Sequence, residues 1–144
     1  MSGGGSVQFE QAIQGIVDSI RQQLESRSYR VANELRNASL DVLRGQRGGR
    51  RYRVPGTRSY YTASAPGEPP AVRTGAFRMS WKPSARVEGD SYISEIETSH
   101  RVNGYILGEL LENGTRKMAP RPHHDRILEK AERDAIRIYS EPYF

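Results

Sequence analysis

Cysteine is absent from this 144-residue chain, which excludes disulfides, thiolate metal sites and cysteine nucleophiles. No run approaches the ~20 apolar residues that span a bilayer, so no membrane partner is expected. Glycine-rich phosphate loops are also missing. Gly3-Gly4-Gly5 and Gly48-Gly49 match none of the known patterns. No serine or threonine sits in a nucleophile elbow. Apolar content is low, with 35% hydrophobic residues and a mean hydropathy of -0.75. Such a chain either carries long exposed segments or buries surface against other chains. The opening Met1-Ser2-Gly3-Gly4-Gly5-Ser6 lacks the basic and apolar regions of a signal peptide. A flexible residue 1–6 start and a soluble protein made in the cytoplasm are therefore expected.

What the sequence does hold is positive charge, a formal +5, which suits proximity to a polyanion. The length is most simply that of one domain, residues 1–144. Phe9, Ile13, Ile16, Ile20, Leu24, Val31, Leu35, Ala38 and Val42 recur near the helical period and predict a long amphipathic helix over 7–44. At 1.5 Å per residue it reaches roughly 54 Å, far beyond the radius of a domain this size. It must protrude, kink at Ser26–Ser28 or lie along a neighbour, and two shorter helices broken there are the alternative. A protruding apolar stripe needs cover, which argues for oligomerisation.

Gly45 is placed as the C-terminal cap of that helix. Residues 45–70 are punctuated by glycine and proline and read as an irregular loop, which in a compact domain is usually functional or disordered. The remainder, 71–144, reads as an α+β core. Arg73 to Ser80 predicts a short helix with Thr74 as N-cap. Two strands follow, 81–87 and 91–99, joined at Glu88-Gly89-Asp90, and Pro83 suggests an edge or a bulge. Val102, Tyr105, Ile106 and Leu110 predict a further helix ending at Gly114 in a left-handed cap. Pro122 suits the first position of a last helix carrying Ile127, Leu128, Ala131, Ala135 and Ile138 and stopping before Pro142.

Arg47, Arg50, Arg51, Arg53 and Arg58, interleaved with Tyr52, Tyr60 and Tyr61, are the clearest chemical feature. Arginine forks pair with phosphates and tyrosines stack on bases, so DNA contact is one reading. A solvated loop, or a loop docking on an acidic partner, fits equally. His123-His124-Asp125 has the composition of a metal or acid–base cluster. Adjacent helical residues diverge, however, so no metal ligand set is assigned, and Asp125 more simply complements a helix dipole. Glu95 and Glu97 share a strand face, where solvation explains them better than acid catalysis. No catalytic residue and no cofactor are expected.

Ala71-Val72-Arg73-Thr74-Gly75-Ala76-Phe77-Arg78-Met79-Ser80, followed by Leu111-Glu112-Asn113-Gly114-Thr115-Arg116-Lys117-Met118-Ala119-Pro120-Arg121-Pro122, resembles the small tail-component family of lambda-like tailed bacteriophages. The resemblance covers about half the chain. Where the family places an aromatic residue after the second proline, this chain has His123, and its Arg/Gly loop is longer. The resemblance implies a non-enzymatic virion protein of the head–tail junction, made in the host cytoplasm. Such proteins form rings around the DNA channel, six-fold on the tail side and twelve-fold near the portal. Their neighbours are connector and tail proteins, and nonspecific contact with packaged DNA is open to them. It also implies an α+β domain, with a small antiparallel sheet between the long helix and the last one. The motif residues Arg73, Thr74, Gly75, Glu112, Gly114, Thr115, Pro120 and Pro122 would then be structural. A free nucleic-acid-binding module using the Arg/Gly loop is the alternative, and a hydrolase built on His123, His124 and Asp125 is a third reading.

Overall fold

The computed structural model describes residues 2–72 and 75–144, with side chains described from residue 12 onward. The architecture is α+β. A single helix of 41 residues, α1 (Ser2–Val42), opens the fold. Strands β1 (Arg51–Arg53) and β2 (Tyr60–Thr62) follow, then the one-turn helix α2 (Ala76–Met79). Next come β3 (Lys82–Glu88) and β4 (Ser91–Glu97), and then the short pair β5 (Arg101–Val102) and β6 (Tyr105–Ile106). Helices α3 (Leu107–Asn113) and α4 (His124–Tyr139) complete the fold. The expected Thr74 cap lies outside the described residues, and Gly75 directly precedes α2 with φ of 84°.

The core forms where α4 and the β3–β4 hairpin pack on the second half of α1. Leu35 and Ala38 of α1 meet Ile127 and Ala131 of α4, with Val42 and Ile96 against them. Burying Leu35 or Ile127 contributes on the order of 2 kcal/mol each. Ala32, Ala38 and Ala131 are buried and small, which lets the elements approach closely.

No break occurs at Ser26–Ser28, because the tail of α4 docks there. The buried Arg27 guanidinium donates to the carbonyls of Ile138 (3.4 Å), Tyr139 (3.3 Å), Glu141 and Pro142 (2.8 Å). These carbonyls sit in or just past the last turn of α4, where a helix leaves acceptors unpaired. Arg27 also lies 3.8 Å over the Tyr143 ring. Ser28 donates to Leu24 O at 2.7 Å, which keeps its hydroxyl satisfied inside the helix, and accepts from the Tyr139 hydroxyl at 3.0 Å. Before this point α1 loses its cover. Ile13 and Ile16 are 47% and 48% exposed.

The three strand pairs are separate two-stranded antiparallel sheets. The two expected strands pair, and their register runs from Lys82 opposite Glu97 to Glu88 opposite Ser91, so that Glu88 joins the ladder and Gly89–Asp90 alone make the turn. Every strand of a two-stranded sheet is an edge, which accommodates Pro83.

Three expectations need correction. Residues 45–70 are not wholly irregular, since β1 and β2 form a hairpin inside them. Its bend contains Pro55-Gly56 with Gly56 at φ 75° and Thr57 N–H donating to Val54 O at 3.1 Å, the pattern of a type II turn. Val102, Tyr105 and Ile106 form a second small hairpin and not the start of a helix. Asn103 and Gly104 both take positive φ (52° and 83°), the demand of a tight hairpin turn that Asn-Gly meets well. Pro122 is not the first residue of α4. Helix geometry begins at His124, and His123 at φ -145° stands outside it.

Candidate functional site

The motif residues converge on the corner between α3 and α4. Glu112, in the last turn of α3, sends one carboxylate oxygen to the backbone N–H groups of His123 (2.8 Å) and His124 (3.3 Å). The N-terminus of α4 is therefore capped by a carboxylate from another helix, which satisfies free donors and complements the helix dipole. The chain reaches this position through Gly114. Its φ of 78° and ψ of 177° lie in a region essentially confined to glycine, rather than the left-handed cap the sequence suggests. A Cβ there would meet Met118 O and Pro120 N at 2.9 Å. Thr115 N–H donates to Met118 O at 2.8 Å, closing a tight bend. Pro120 O accepts from Gly67 N–H at 3.2 Å, and Arg121 N–H donates to Leu111 O at 2.6 Å. Pro122 hands the chain to His123. Arg73 and Thr74 lie outside the described residues.

His123 is fully buried. Its ring meets Phe77 edge-on at 5.8 Å and Trp81 at 5.9 Å, and its Nδ1 lies 3.0 Å from Arg121 O. Burial lowers its pKa. The Glu112 carboxylate, 3.0 Å from Nδ1, and the Arg121 carbonyl pull the other way, but burial dominates. His123 thus sits in the core as an aromatic ring with one hydrogen bond.

Glu112, His123 and His124 each bring a potential ligand atom to within 4.8 Å of the others. The two adjacent histidines do not diverge as expected, because His123 lies outside the helix and its ring lies 4.7 Å from that of His124. Asp125 is not in this group. The same atoms have other duties, however. The Glu112 oxygen nearest His123 already accepts two backbone N–H groups, and His123 Nδ1 faces a carbonyl. The contacts these residues make with one another and with the backbone are those of a helix cap.

The arginines divide into two sets. Arg47 is a latch. Its guanidinium donates to Val42 O (2.8 Å), Pro69 O (2.8 Å) and Pro70 O (3.2 Å), and burial lowers its pKa. It closes the segment that follows α1. Arg50, Arg51, Arg53 and Arg58 are exposed on the β1–β2 hairpin. Arg51 stacks over Tyr60 at 4.5 Å, and Tyr52 stacks on Tyr61 with centroids 5.9 Å apart. At the hairpin root, Gly49 passes so close that a Cβ would lie 2.5 Å from Ala63 O. Glu68 accepts from the N–H groups of Gly48 (2.9 Å) and Ala65 (2.6 Å), which holds its carboxyl below the usual range. Arg121 donates to Ser64 Oγ at 2.9 Å, and Arg126 to Gly67 O at 2.9 Å.

One feature of α4 is absent from the sequence reading. Asp125, Glu129 and Glu132 lie along one edge of a groove between α1, β4 and α4, with Val31, Leu35 and Ala131 among its floor. The spacing of these acids, four then three residues, is a helical stripe that was legible in principle. Glu95 is tied to Arg86 at 3.1 Å on the β3–β4 hairpin, and the second carboxylate on that guanidinium is Glu88 rather than Glu97. Comparisons with protein-family models, with curated proteins and with solved structures each give no match.

Proposed function

We propose that this chain is a structural subunit of the head–tail junction of a tailed phage, working as one member of a homo-oligomeric ring around the DNA channel. The observation that carries the assembly part is the first half of α1. Its Ile13 and Ile16 are half exposed on a helix that outruns its own domain. An apolar stripe of this kind gains by burial against other chains. The phage part rests on the resemblance. Gly114, Thr115, Pro120 and Pro122 shape one corner, and Glu112 caps α4 there, which are the roles expected of structural motif residues. The subunit carries out no reaction on this reading. It joins connector and tail proteins, and its basic hairpin faces either the packaged DNA or a protein neighbour.

The second reading, a nucleic-acid-binding module, is favoured by the hairpin, where four exposed arginines cluster with stacking tyrosines. Light scattering at two salt concentrations, with and without short duplex DNA, separates the two. A closed ring whose mass ignores DNA supports the junction subunit. A monomer that binds duplex and releases it as salt rises supports the module and refutes the ring.

A further inference from the structure

The hairpin and the groove are complementary in charge, and they lie on different parts of the same molecule. From Val42 to Gly67 the sequence has no acidic residue, while the hairpin bears Arg50, Arg51, Arg53 and Arg58. The groove beside α4 has a volume of about 500 Å³ and an apolar floor. Its lining holds three carboxylates, Asp125, Glu129 and Glu132, and no cation among the described residues. Leu128, on the same side of α4, is 56% exposed.

The hairpin stands clear of its own core. All of β1 and most of β2 are exposed. One face presents Arg51, Arg53 and Tyr60, and the other presents the stacked Tyr52–Tyr61 pair. Its own groove is not its target, because Arg126 pins its root at Gly67 from the flank of α4 that does not line the groove.

We propose that the β1–β2 hairpin of one copy docks in the acidic groove of the next copy. This inference rests on the ring reading and names its interface. Two different patches of one chain that fit each other form a heterologous contact, which closes a ring when the rotation allows it. The opposing charges set the orientation of the two copies and speed their encounter. The stripe at the start of α1 is a poorer occupant of the groove. Residues 2–22 carry Glu10 and Asp18 against Arg21, a net charge of -1, which the acidic rim repels.

The test uses charge reversal on the full chain. Arg51→Glu with Arg53→Glu, and separately Glu129→Lys with Glu132→Lys, should each reduce the wild-type oligomer to monomer mass in light scattering. Mixing the two variants should restore a heteromeric species, because the reversed charges pair again. The absence of cysteine gives a second readout. Oxidising an Arg53→Cys chain mixed with a Glu132→Cys chain should yield a cross-linked dimer in much higher yield than either alone. Wild-type rings that persist in both charge-reversed variants, with no mixed cross-link, overturn the interface while leaving the ring intact. A wild type that stays monomeric and gives no mixed cross-link overturns both. If the arginine variant keeps its oligomer and loses duplex DNA binding, the hairpin is a nucleic-acid arm and the inference fails.

Discussion

Replacing His123 with Phe should remove a pH sensitivity from the fold at little cost near neutrality. At pH 7.5 the imidazole is neutral in both folded and unfolded chains. The substitution then loses the contact between Nδ1 and Arg121 O, a net of ~1 kcal/mol. It also removes Nε2, which is buried without a hydrogen-bond partner and whose desolvation costs ~1–3 kcal/mol. The two effects oppose each other, and the Phe77–Trp81 cage already accepts an aromatic ring. Below neutrality the chains part. Burial depresses the folded-state pKa of His123 beneath the ordinary value of about 6.5. As pH falls through that value, the unfolded chain takes up a proton that the folded chain refuses, and wild-type stability drops. The slope approaches ~1.4 kcal/mol per pH unit until the folded-state pKa is reached. For a chain of this length that is about 4–5 °C in Tm per unit. Thermal melts of both proteins between pH 7.5 and 5 read the difference directly. His123→Phe should gain on the wild type steadily below about pH 6.5. Parallel curves would refute the reasoning, because they would mean that His123 takes up its proton equally readily in the folded and unfolded chains.

Gly114→Ala should cost at least ~1–3 kcal/mol from backbone strain alone, beyond the clash with Met118 O and Pro120, and chemical denaturation will show it as a lower midpoint. Glu112→Ala removes the cap of α4 and should lower stability by ~1 kcal/mol, with hydrogen exchange rising first at His123 and His124. Arg27→Met strands the carbonyls at the end of α4 and should cost about 3 kcal/mol, seen as a fall in Tm of about 10 °C. Adding zinc should leave the wild-type Tm unchanged, because one Glu112 oxygen caps α4 and His123 Nδ1 faces the Arg121 carbonyl; a rise reversed by a chelator would reassign Glu112, His123 and His124 as ligands.

The elements that the sequence announced are those with a long period. Helix α1, helix α4 and the β3–β4 hairpin each repeat their pattern often enough to be read. Strands of two or three residues have no period, so the sequence reads β1–β2 as part of a loop and β5–β6 as part of a helical stripe, and only the turns Pro55-Gly56 and Asn103-Gly104 encode them locally. Arg27 and Ser28 looked like a flaw in an apolar stripe because their partners lie more than a hundred residues away. The same holds for the site. The cap supplied by Glu112 joins two helices across a bend, and no local pattern encodes it. The motif as a string lists Glu112, Gly114, Thr115, Pro120 and Pro122 in order, and their meeting at one corner is a contact between elements. His123 has the composition of a reactive group, whereas its neighbours Phe77 and Trp81 make it part of the interior.

The root of the basic hairpin is stitched to α4 and its lead-in at two points, through Arg121 before the helix to Ser64 and through Arg126 in its first turn to Gly67. The acidic groove runs along that same helix. In a ring of hairpins seated in grooves, one rigid rod both holds the incoming arm and anchors the outgoing one. Strain applied at any joint would pass along α4 to the next. Such a ring would close, and give way, as a unit.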